Sequence, residues 1–117
     1  MKTIAITGAA GYIGRHVVTE LVRGGGARVK VLRRSRESEI RVGVGGAGIE
    51  VVEGDLREPE SLREFLEAGC TVVNFVYLWG AGEAQNLTAI ETLLEACRAA
   101  NIGRLIHCST AAVVGRA

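Results

Sequence analysis

The sequence of 117 residues predicts an α/β fold, a doubly wound parallel sheet of five strands in the order 3-2-1-4-5. Three observations predict this fold. Strand-like and helix-like segments alternate along the chain, three spaced glycines separate the first strand from the first helix, and the fourth strand is an almost continuous apolar run. Such a run is typical of a central strand that is covered on both faces. The length is that of a single domain, which we place at residues 1–117.

The first half of the chain contains three predicted strands and one predicted helix. Residues 1–7 are rich in β-branched side chains and form the first strand. Residues 12–24 carry apolar side chains at helical spacing and end in consecutive glycines, which accept the left-handed conformation of a helix cap. Residues 28–33 alternate as a second strand, residues 35–48 form a polar and then glycine-rich loop, and residues 49–53 form the third strand.

The second half of the chain contains two predicted helices and two predicted strands. Pro59 fits the first turn of a helix whose apolar face consists of Leu62, Phe65 and Leu66. Residues 71–78 form the fourth strand and residues 104–109 the fifth. Between them, residues 84–100 form a helix with an inward face of Leu87, Ile90, Leu93, Leu94 and Cys97. No helix follows to cover the fifth strand, so we expect either a longer protein or a partner that covers this gap.

The composition predicts a soluble globular protein in the cytoplasm. Hydrophobic residues make up 48% and charged residues 23%, and the net charge of +1 does not indicate a nucleic-acid or membrane-surface partner. The longest apolar stretch, residues 70–82, is too short to span a bilayer, and glycines interrupt any signal peptide. The three cysteines lack metal-ligand spacing and are expected to be buried, reduced thiols. We therefore predict no metal site.

The three spaced glycines predict a site for the pyrophosphate of a dinucleotide. Gly8 permits a tight turn, Gly11 removes a side chain where the backbone must approach the pyrophosphate, and Gly14 lets the helix pack closely on the strand. The amino terminus of the helix offers unpaired N–H groups and a partial positive charge to the anion. The alternative is a structural glycine turn in another kind of α/β protein.

The ends of the second and third strands bear on how the adenosine is bound. An acidic residue about 20 positions after the glycine loop would accept a hydrogen bond from the ribose 2′-hydroxyl of NAD. This sequence has Arg33 and Arg34 there, and a guanidinium can bind a 2′-phosphate, with Arg15 as a further member of the clamp. The sequence therefore favours NADP over NAD, with solvated surface charges as the alternative. Asp55 could accept from the adenine amino group, or equally be a turn residue or helix cap.

Five segments, in the same order, resemble the extended short-chain dehydrogenase/reductase family, the NAD-dependent epimerase/dehydratase group. Residues 7–14 are similar to its Thr-Gly-x-x-Gly-[Phe/Tyr]-Ile-Gly loop, and residues 54–56 to the Gly-Asp-Leu that seats the adenine. Residues 74–79 fall where the fourth strand of the family ends under the cofactor. Asn86 resembles the asparagine that begins the crossover helix, and residues 109–115 resemble the Ser-[Ser/Thr]-x-x-Val-Tyr-Gly segment.

The resemblance implies a Rossmann-type NAD(P)-binding domain and a set of cofactor contacts. Besides Arg33 and Arg34, these contacts come from Gly8, Ala10, Gly11, Tyr12, Ile13, Gly14, Asp55, Leu56, Val76, Tyr77, Leu78 and Asn86. Thr110 matches the residue that hydrogen-bonds the substrate oxygen undergoing oxidation or reduction. In the family a Tyr-x-x-x-Lys pair transfers the proton, and this pair lies beyond the last residue of the sequence. Val114 also replaces the usual tyrosine of Val-Tyr-Gly.

The function that the resemblance implies is an NAD(P)-dependent epimerase, dehydratase or reductase, that is, an isomerase or oxidoreductase. Its substrate would be a nucleotide-sugar or a similar hydroxyl or carbonyl compound, and this chain would be its cofactor-binding part. We expect the chain alone to bind cofactor weakly without turnover, and whether it forms a homodimer is left open. The alternative is a non-catalytic NAD(P)-binding or redox-sensing regulatory protein.

Overall fold

The computed structural model describes residues 2–8, 12–33, 49–75 and 82–108. In chain order these residues form β1 (Lys2–Thr7), α1 (Tyr12–Gly24), β2 (Ala27–Arg33), β3 (Ile49–Glu53), a 3₁₀ turn (Pro59–Leu62), β4 (Thr71–Asn74), α2 (Glu83–Ala100) and β5 (Arg104–His107). All of these strands are parallel and lie in the order β3-β2-β1-β4-β5, which confirms the predicted sheet. The predicted loop at 35–48 and the last residues predicted for the fourth and fifth strands lie outside the described residues.

Helix α1 covers one face of the sheet. Val18 is fully buried against Ile6, Val29 and Val31 of the two central strands. Partly buried side chains surround this centre: Ile4, Val17, Leu21, Val22, Ile49, Val73 and Phe75. Burial of an aliphatic side chain of this size contributes about 1.5–3 kcal/mol to the free energy of unfolding. This layer holds the amino terminus of α1 beside the carboxyl end of β1.

Helix α2 and residues 59–66 cover the opposite face. Their buried side chains pack on alternate residues of the strands in one cluster that consists of Ala5, Val52, Leu56, Leu62, Phe65, Leu66, Cys70, Val72, Leu93 and Cys97. Cys70 and Cys97 are buried with free thiols, as the sequence predicted, but the prediction is wrong for Cys108, which is only partly buried. The two layers together enclose both faces of the central strands β1 and β2.

The helix predicted from Pro59 onward is wrong in length, because only the 3₁₀ turn Pro59–Leu62 forms there. The Ser61 hydroxyl donates to the backbone carbonyl oxygen of Glu58 at 2.7 Å and accepts from the Asp55 N–H at 2.8 Å. A serine that binds nearby backbone groups in this way competes with regular helical hydrogen bonds. The three apolar residues predicted for this segment, Leu62, Phe65 and Leu66, are nevertheless all buried.

The inward face predicted for α2 is wrong at two positions. Leu87 and Leu94 are 55% and 43% exposed, whereas Ala89, Leu93 and Cys97 are buried. The stripe that contacts the other elements is therefore turned toward the alanines of the helix, which the hydrophobic pattern left out. Small side chains allow the helix backbone to approach its neighbours closely, and this places Leu87 and Leu94 toward solvent.

Strand β5 is the most exposed strand of the sheet. None of its four residues is fully buried, and Ile106 is 41% exposed on the face that α1 covers elsewhere. Within the described residues, Leu105 packs on the cluster beneath α2, whereas the opposite face of β5 is exposed at Ile106. None of the helices in the described part of the chain combines the length and apolar character needed to cross a membrane.

Candidate nucleotide-binding site

The turn between β1 and α1 has the predicted strand–glycine–helix context. Gly8 follows the last residue of β1 and has a φ of 76°, in the left-handed region that glycine adopts without a steric penalty. Gly14 is buried in the first turn of α1, and Ile13 beside it is 55% exposed. Ala10, Gly11 and the side chain of Tyr12 lie outside the described residues.

The amino terminus of α1 is electrostatically suited to an anion. Its first turn contains no acidic residue, so nothing there opposes the partial positive charge of the helix end. Arg15 lies on this turn and is exposed. The hydrophobic layer under α1 fixes the direction of the helix, so its first N–H groups point to the carboxyl edge of the sheet. A pyrophosphate placed at this edge could accept hydrogen bonds from them.

Arg33 lies at the carboxyl end of β2, as predicted, and is paired with an acidic residue. Its Nη2 is 2.9 Å from Oε1 of Glu53, the residue directly opposite in the register of β2 and β3. The Nε of Arg33 is buried and has no hydrogen-bond partner in the part of the chain that is described. Arg34, the second predicted arginine, lies outside that part. The sequence pattern does not identify Glu53, because only the alignment of the two strands brings it beside Arg33.

Asp55 is engaged by its neighbour Arg57. Its Oδ1 accepts from the backbone N–H and the Nε of Arg57 at 2.9 and 3.1 Å, and its Oδ2 accepts from Nη2 at 2.8 Å. This hydrogen bonding raises the pKa of the Arg57 guanidinium. The bond to the backbone two residues on makes Asp55 a turn residue, one of the alternatives that the sequence left open. The side chain of Leu56 is buried in the core.

Gly54 is required by close packing between the end of β3 and the 3₁₀ turn. A Cβ at this position would lie 2.8 Å from the backbone oxygen of Ser61 and 2.9 Å from Cδ1 of Leu32. The Gly54 N–H donates to the Arg33 carbonyl oxygen at 3.0 Å. The Gly-Asp-Leu segment is therefore packed closely against the end of β2, next to Arg33.

Three polar side chains form a hydrogen-bonded row across the carboxyl ends of β1, β4 and β5. Thr7, Asn74 and His107 are register partners, and the Thr7 hydroxyl donates to Oδ1 of Asn74. Nδ2 of Asn74 is 3.0 Å from Nδ1 of His107, which accepts when the neutral ring carries its proton on Nε2. Thr7 and Asn74 are buried. This row holds together the carboxyl ends of the strands. One of these strands leads into the glycine turn, and another leads into residues 109–115, where Thr110 is predicted to bind the substrate.

One signal for this row is visible in the sequence, since Asn74 is the polar residue that interrupts the apolar fourth strand. Its partners could not be identified from the pattern. Four further predicted site residues lie outside the described residues, namely Val76, Tyr77, Leu78 and Thr110. Asn86 lies in α2, but its side chain is not described. No group of three or more potential metal ligands occurs within residues 2–8, 12–33, 49–75 and 82–108.

A parallel sheet of this strand order, with a glycine turn between its first strand and first helix, defines a Rossmann-type dinucleotide-binding fold. Residues 8–117 match a protein-family model described as NAD(P)H-binding, and the chain belongs to this family.

Two curated relatives represent the chemistry found among similar proteins. The chain is 36% identical over 121 residues to the 4-hydroxy-2-methyl-3-oxo-4-farnesyl-3,4-dihydroquinoline-1-oxide ketoreductase of Stigmatella aurantiaca, covering 97% of this chain and 35% of the relative. It is 34% identical over 128 residues to the UDP-glucose 4-epimerase of Erwinia amylovora, covering 97% of this chain and 38% of the relative. The chain thus spans little more than a third of the length of these relatives. They confirm the predicted resemblance to epimerases and reductases.

Solved structures confirm the fold. A variant of uronate dehydrogenase from Agrobacterium tumefaciens, in complex with NAD, superimposes with a TM-score of 0.70 at 26% identity, covering 94% of this chain and 41% of that chain. A short-chain dehydrogenase/reductase from Veillonella parvula has a TM-score of 0.76 at 23% identity, covering 97% and 50%. The first of these binds NAD, so the likeness does not distinguish NADP from NAD for this chain.

Proposed function

We propose that this chain is the cofactor-binding part of an NAD(P)-dependent epimerase, dehydratase or reductase of the extended short-chain dehydrogenase type. The observation that carries the proposal is the turn at the carboxyl end of β1, where Gly8 has a φ of 76° and Gly14 is buried at the start of α1. The relatives supply the reaction class, since both ketoreductases and epimerases are among them. A nucleotide-sugar or a similar hydroxyl or carbonyl compound is the substrate class that we propose.

The described residues fit a bound dinucleotide at three points. Gly8 turns the chain sharply after β1 with a φ of 76°, the α1 amino terminus offers N–H groups, and Arg33 offers a cation at the end of β2. When bound, the nicotinamide would supply the hydride. In this proposal the protein orients the dinucleotide along the carboxyl edge of the sheet, and Thr110 binds the substrate oxygen, as the resemblance implies.

Proton transfer is the step for which the described residues offer no suitable lysine. The sequence has two lysines, Lys2 and Lys30. Lys2 begins β1, at the end of the strand away from the glycine turn. Lys30 is 2% exposed, and its Nζ donates to the backbone oxygen of Glu64 and lies 3.3 Å from Oε1 of Glu67. Neither can assist a tyrosine at the site, so we expect no turnover from the 117-residue chain.

We propose NADP as the preferred cofactor, with Arg33 as the supporting feature. A guanidinium binds a phosphate group through charge-assisted hydrogen bonds that a ribose hydroxyl cannot match. Titration of the purified chain with NADPH and with NADH, followed by fluorescence of the reduced nicotinamide, should give a lower Kd for NADPH. A Kd for NADH equal to or below that for NADPH would contradict this preference.

The glycine turn provides the direct test of the binding function. Gly8→Ala places a side chain in the left-handed region, at a cost of about 1–2 kcal/mol, and should raise the Kd for NADPH about tenfold or more. Gly25→Ala is the matched control, because Gly25 has a φ of 71° at the other end of α1 and its new Cβ would meet no atom within 4 Å. It should lower the free energy of unfolding similarly and leave the Kd unchanged. Equal Kd values for the two variants would refute the assigned site.

A further inference from the structure

The Arg33–Glu53 pair places opposite charges side by side where the adenosine ribose of a dinucleotide is expected. Both residues end their strands, and they are direct register partners. Strand alternation puts Arg33 on the same face as Val29 and Val31, which is the face that α1 covers. The pair therefore lies on the side of the sheet from which α1 presents its amino terminus.

The pair remains accessible to a ligand. The side chains of Arg33 and Glu53 are 29% and 47% exposed, and Nη2 of Arg33 lies 2.9 Å from Oε1 of Glu53. Ion pairs that are this exposed contribute little to folding stability, so a ligand can rearrange this one at low cost.

The two side chains favour different groups on the ribose. The guanidinium donates to a 2′-phosphate, whereas the neighbouring carboxylate repels that phosphate. The same carboxylate can accept a hydrogen bond from a 2′-hydroxyl, which is the task of the acidic residue that usually ends the second strand in NAD-binding proteins. Here the second strand ends in arginine, and the acidic residue is supplied by the adjacent strand.

We propose that Glu53 is a specificity-determining residue that limits the preference for NADPH and allows NADH to bind at the same site. This inference rests on the proposed function. Glu53 acts in two ways, by neutralising part of the charge that Arg33 offers to a 2′-phosphate and by offering an acceptor to a 2′-hydroxyl. The selectivity of the site is therefore set by two side chains on neighbouring strands.

Glu53→Gln tests the proposal, because it removes the charge and keeps the size of the side chain. The Kd for NADPH should fall about fivefold, the change expected when a close like-charge repulsion is removed from a partly exposed site. The Kd for NADH should stay the same or rise, so the ratio of the two constants shifts toward NADPH. Competition with 2′,5′-ADP and 5′-AMP locates the effect. Only 2′,5′-ADP, which has the 2′-phosphate, should bind more tightly to Glu53→Gln than to the wild type.

Two further variants complete the experiment. Glu20→Gln is the control for net charge, because Glu20 pairs with Arg23 at 3.4 Å on α1, where both side chains are well exposed. It should leave the ratio unchanged. Arg33→Gln should raise the Kd for NADPH about tenfold and leave NADH nearly unaffected. Thermal unfolding of each variant verifies that the fold is retained.

The outcomes separate this inference from the proposed function. If the wild-type chain binds both nucleotides and Glu53→Gln gives the same ratio as Glu20→Gln, the role of Glu53 is overturned while the binding function stands. If Glu53→Gln lowers the Kd values for NADPH and NADH by the same factor, the role of Glu53 is also overturned, because the effect would then not involve the 2′ position. If the wild-type chain binds neither nucleotide, the proposed function fails and this inference fails with it.

Discussion

Lys30 shows how a charged residue can be part of the core of this protein. Its Nζ lies between Glu67 Oε1 at 3.3 Å and Glu50 Oε2 at 3.5 Å, and Arg28 pairs with the same two carboxylates at 3.0 Å. Burial opposes ionisation of Glu67, but the hydrogen bond and charge of Lys30 outweigh it and lower the pKa of this carboxyl. The network joins β2, β3 and the segment that precedes β4. Its role is structural, because it lies toward the amino ends of the strands.

Cys97 gives a pH dependence whose sign can be worked out. Burial, with a smaller effect from nearby Cys70, raises the pKa of the Cys97 thiol from 9.0 to about 11. The folded state therefore keeps the proton that the unfolded chain releases above pH 9. The contribution of this thiol to the free energy of unfolding is fully present below pH 9 and is lost as the pH rises toward 11. The slope of this loss is at most about 1.4 kcal/mol per pH unit.

Urea denaturation under reducing conditions between about pH 8 and pH 10.5 measures this effect. Cys97→Ala should be less stable throughout but should have a shallower alkaline slope than the wild type. Cys108→Ala is the control, since Cys108 is only partly buried, and it should keep the wild-type slope. An unchanged slope in Cys97→Ala would show that another group causes the alkaline loss.

At the scale of the elements, α2 shows what a hydrophobic pattern can and cannot predict. The spacing of its apolar residues correctly predicted a helix, because that spacing has the helical period. The pattern could not predict which stripe faces inward, since Ala89, Ala96 and Ala100 count little in a hydrophobic pattern although they lie at the contact. The rotation of a helix about its own axis depends on the surface against which it packs, and segments distant in the sequence form that surface.

Substitutions in α2 distinguish the predicted face from the observed one. Leu93→Ala removes a side chain that is 1% exposed and should lower the free energy of unfolding by about 2–4 kcal/mol. The double variant Leu87→Gln with Leu94→Gln should change it by less than about 1 kcal/mol, because both leucines are exposed. Urea denaturation of the three proteins measures the difference. A large loss in the double variant would mean that the helix is turned as the sequence pattern predicted.

At the scale of the whole molecule, the sequence predicted the order of the sheet but not its lateral contacts. The order follows from the alternation of elements and the right-handed connection of parallel strands, and both are visible in the sequence. The rows Arg33–Glu53 and Thr7–Asn74–His107 depend on strand register instead. Register arises from packing over long sequence separations, so these parts of the site had to be observed. The glycine turn was predictable because its residues are close together in the chain.

The unequal cover of the sheet has a consequence for the exchange of backbone amide protons with solvent. Strands β1 and β2 have helical cover and neighbours on both sides, whereas β5 is an edge strand that pairs only with β4 in the described sheet. Regions with few buried contacts open locally at a lower free energy than the core. In deuterated water, the amides of Leu105 and Ile106 should therefore exchange well before those of Ala5 and Ile6.

Comparable protection at the two sites would mean that β5 opens only when the whole chain unfolds. The expected difference would instead mean that β5 opens before the central strands of the sheet. Nucleotide bound along the glycine turn would protect the central strands directly and β5 only through Asn74. Exchange at β5 thus reports how far the ordering produced by a ligand on β1 extends across the sheet.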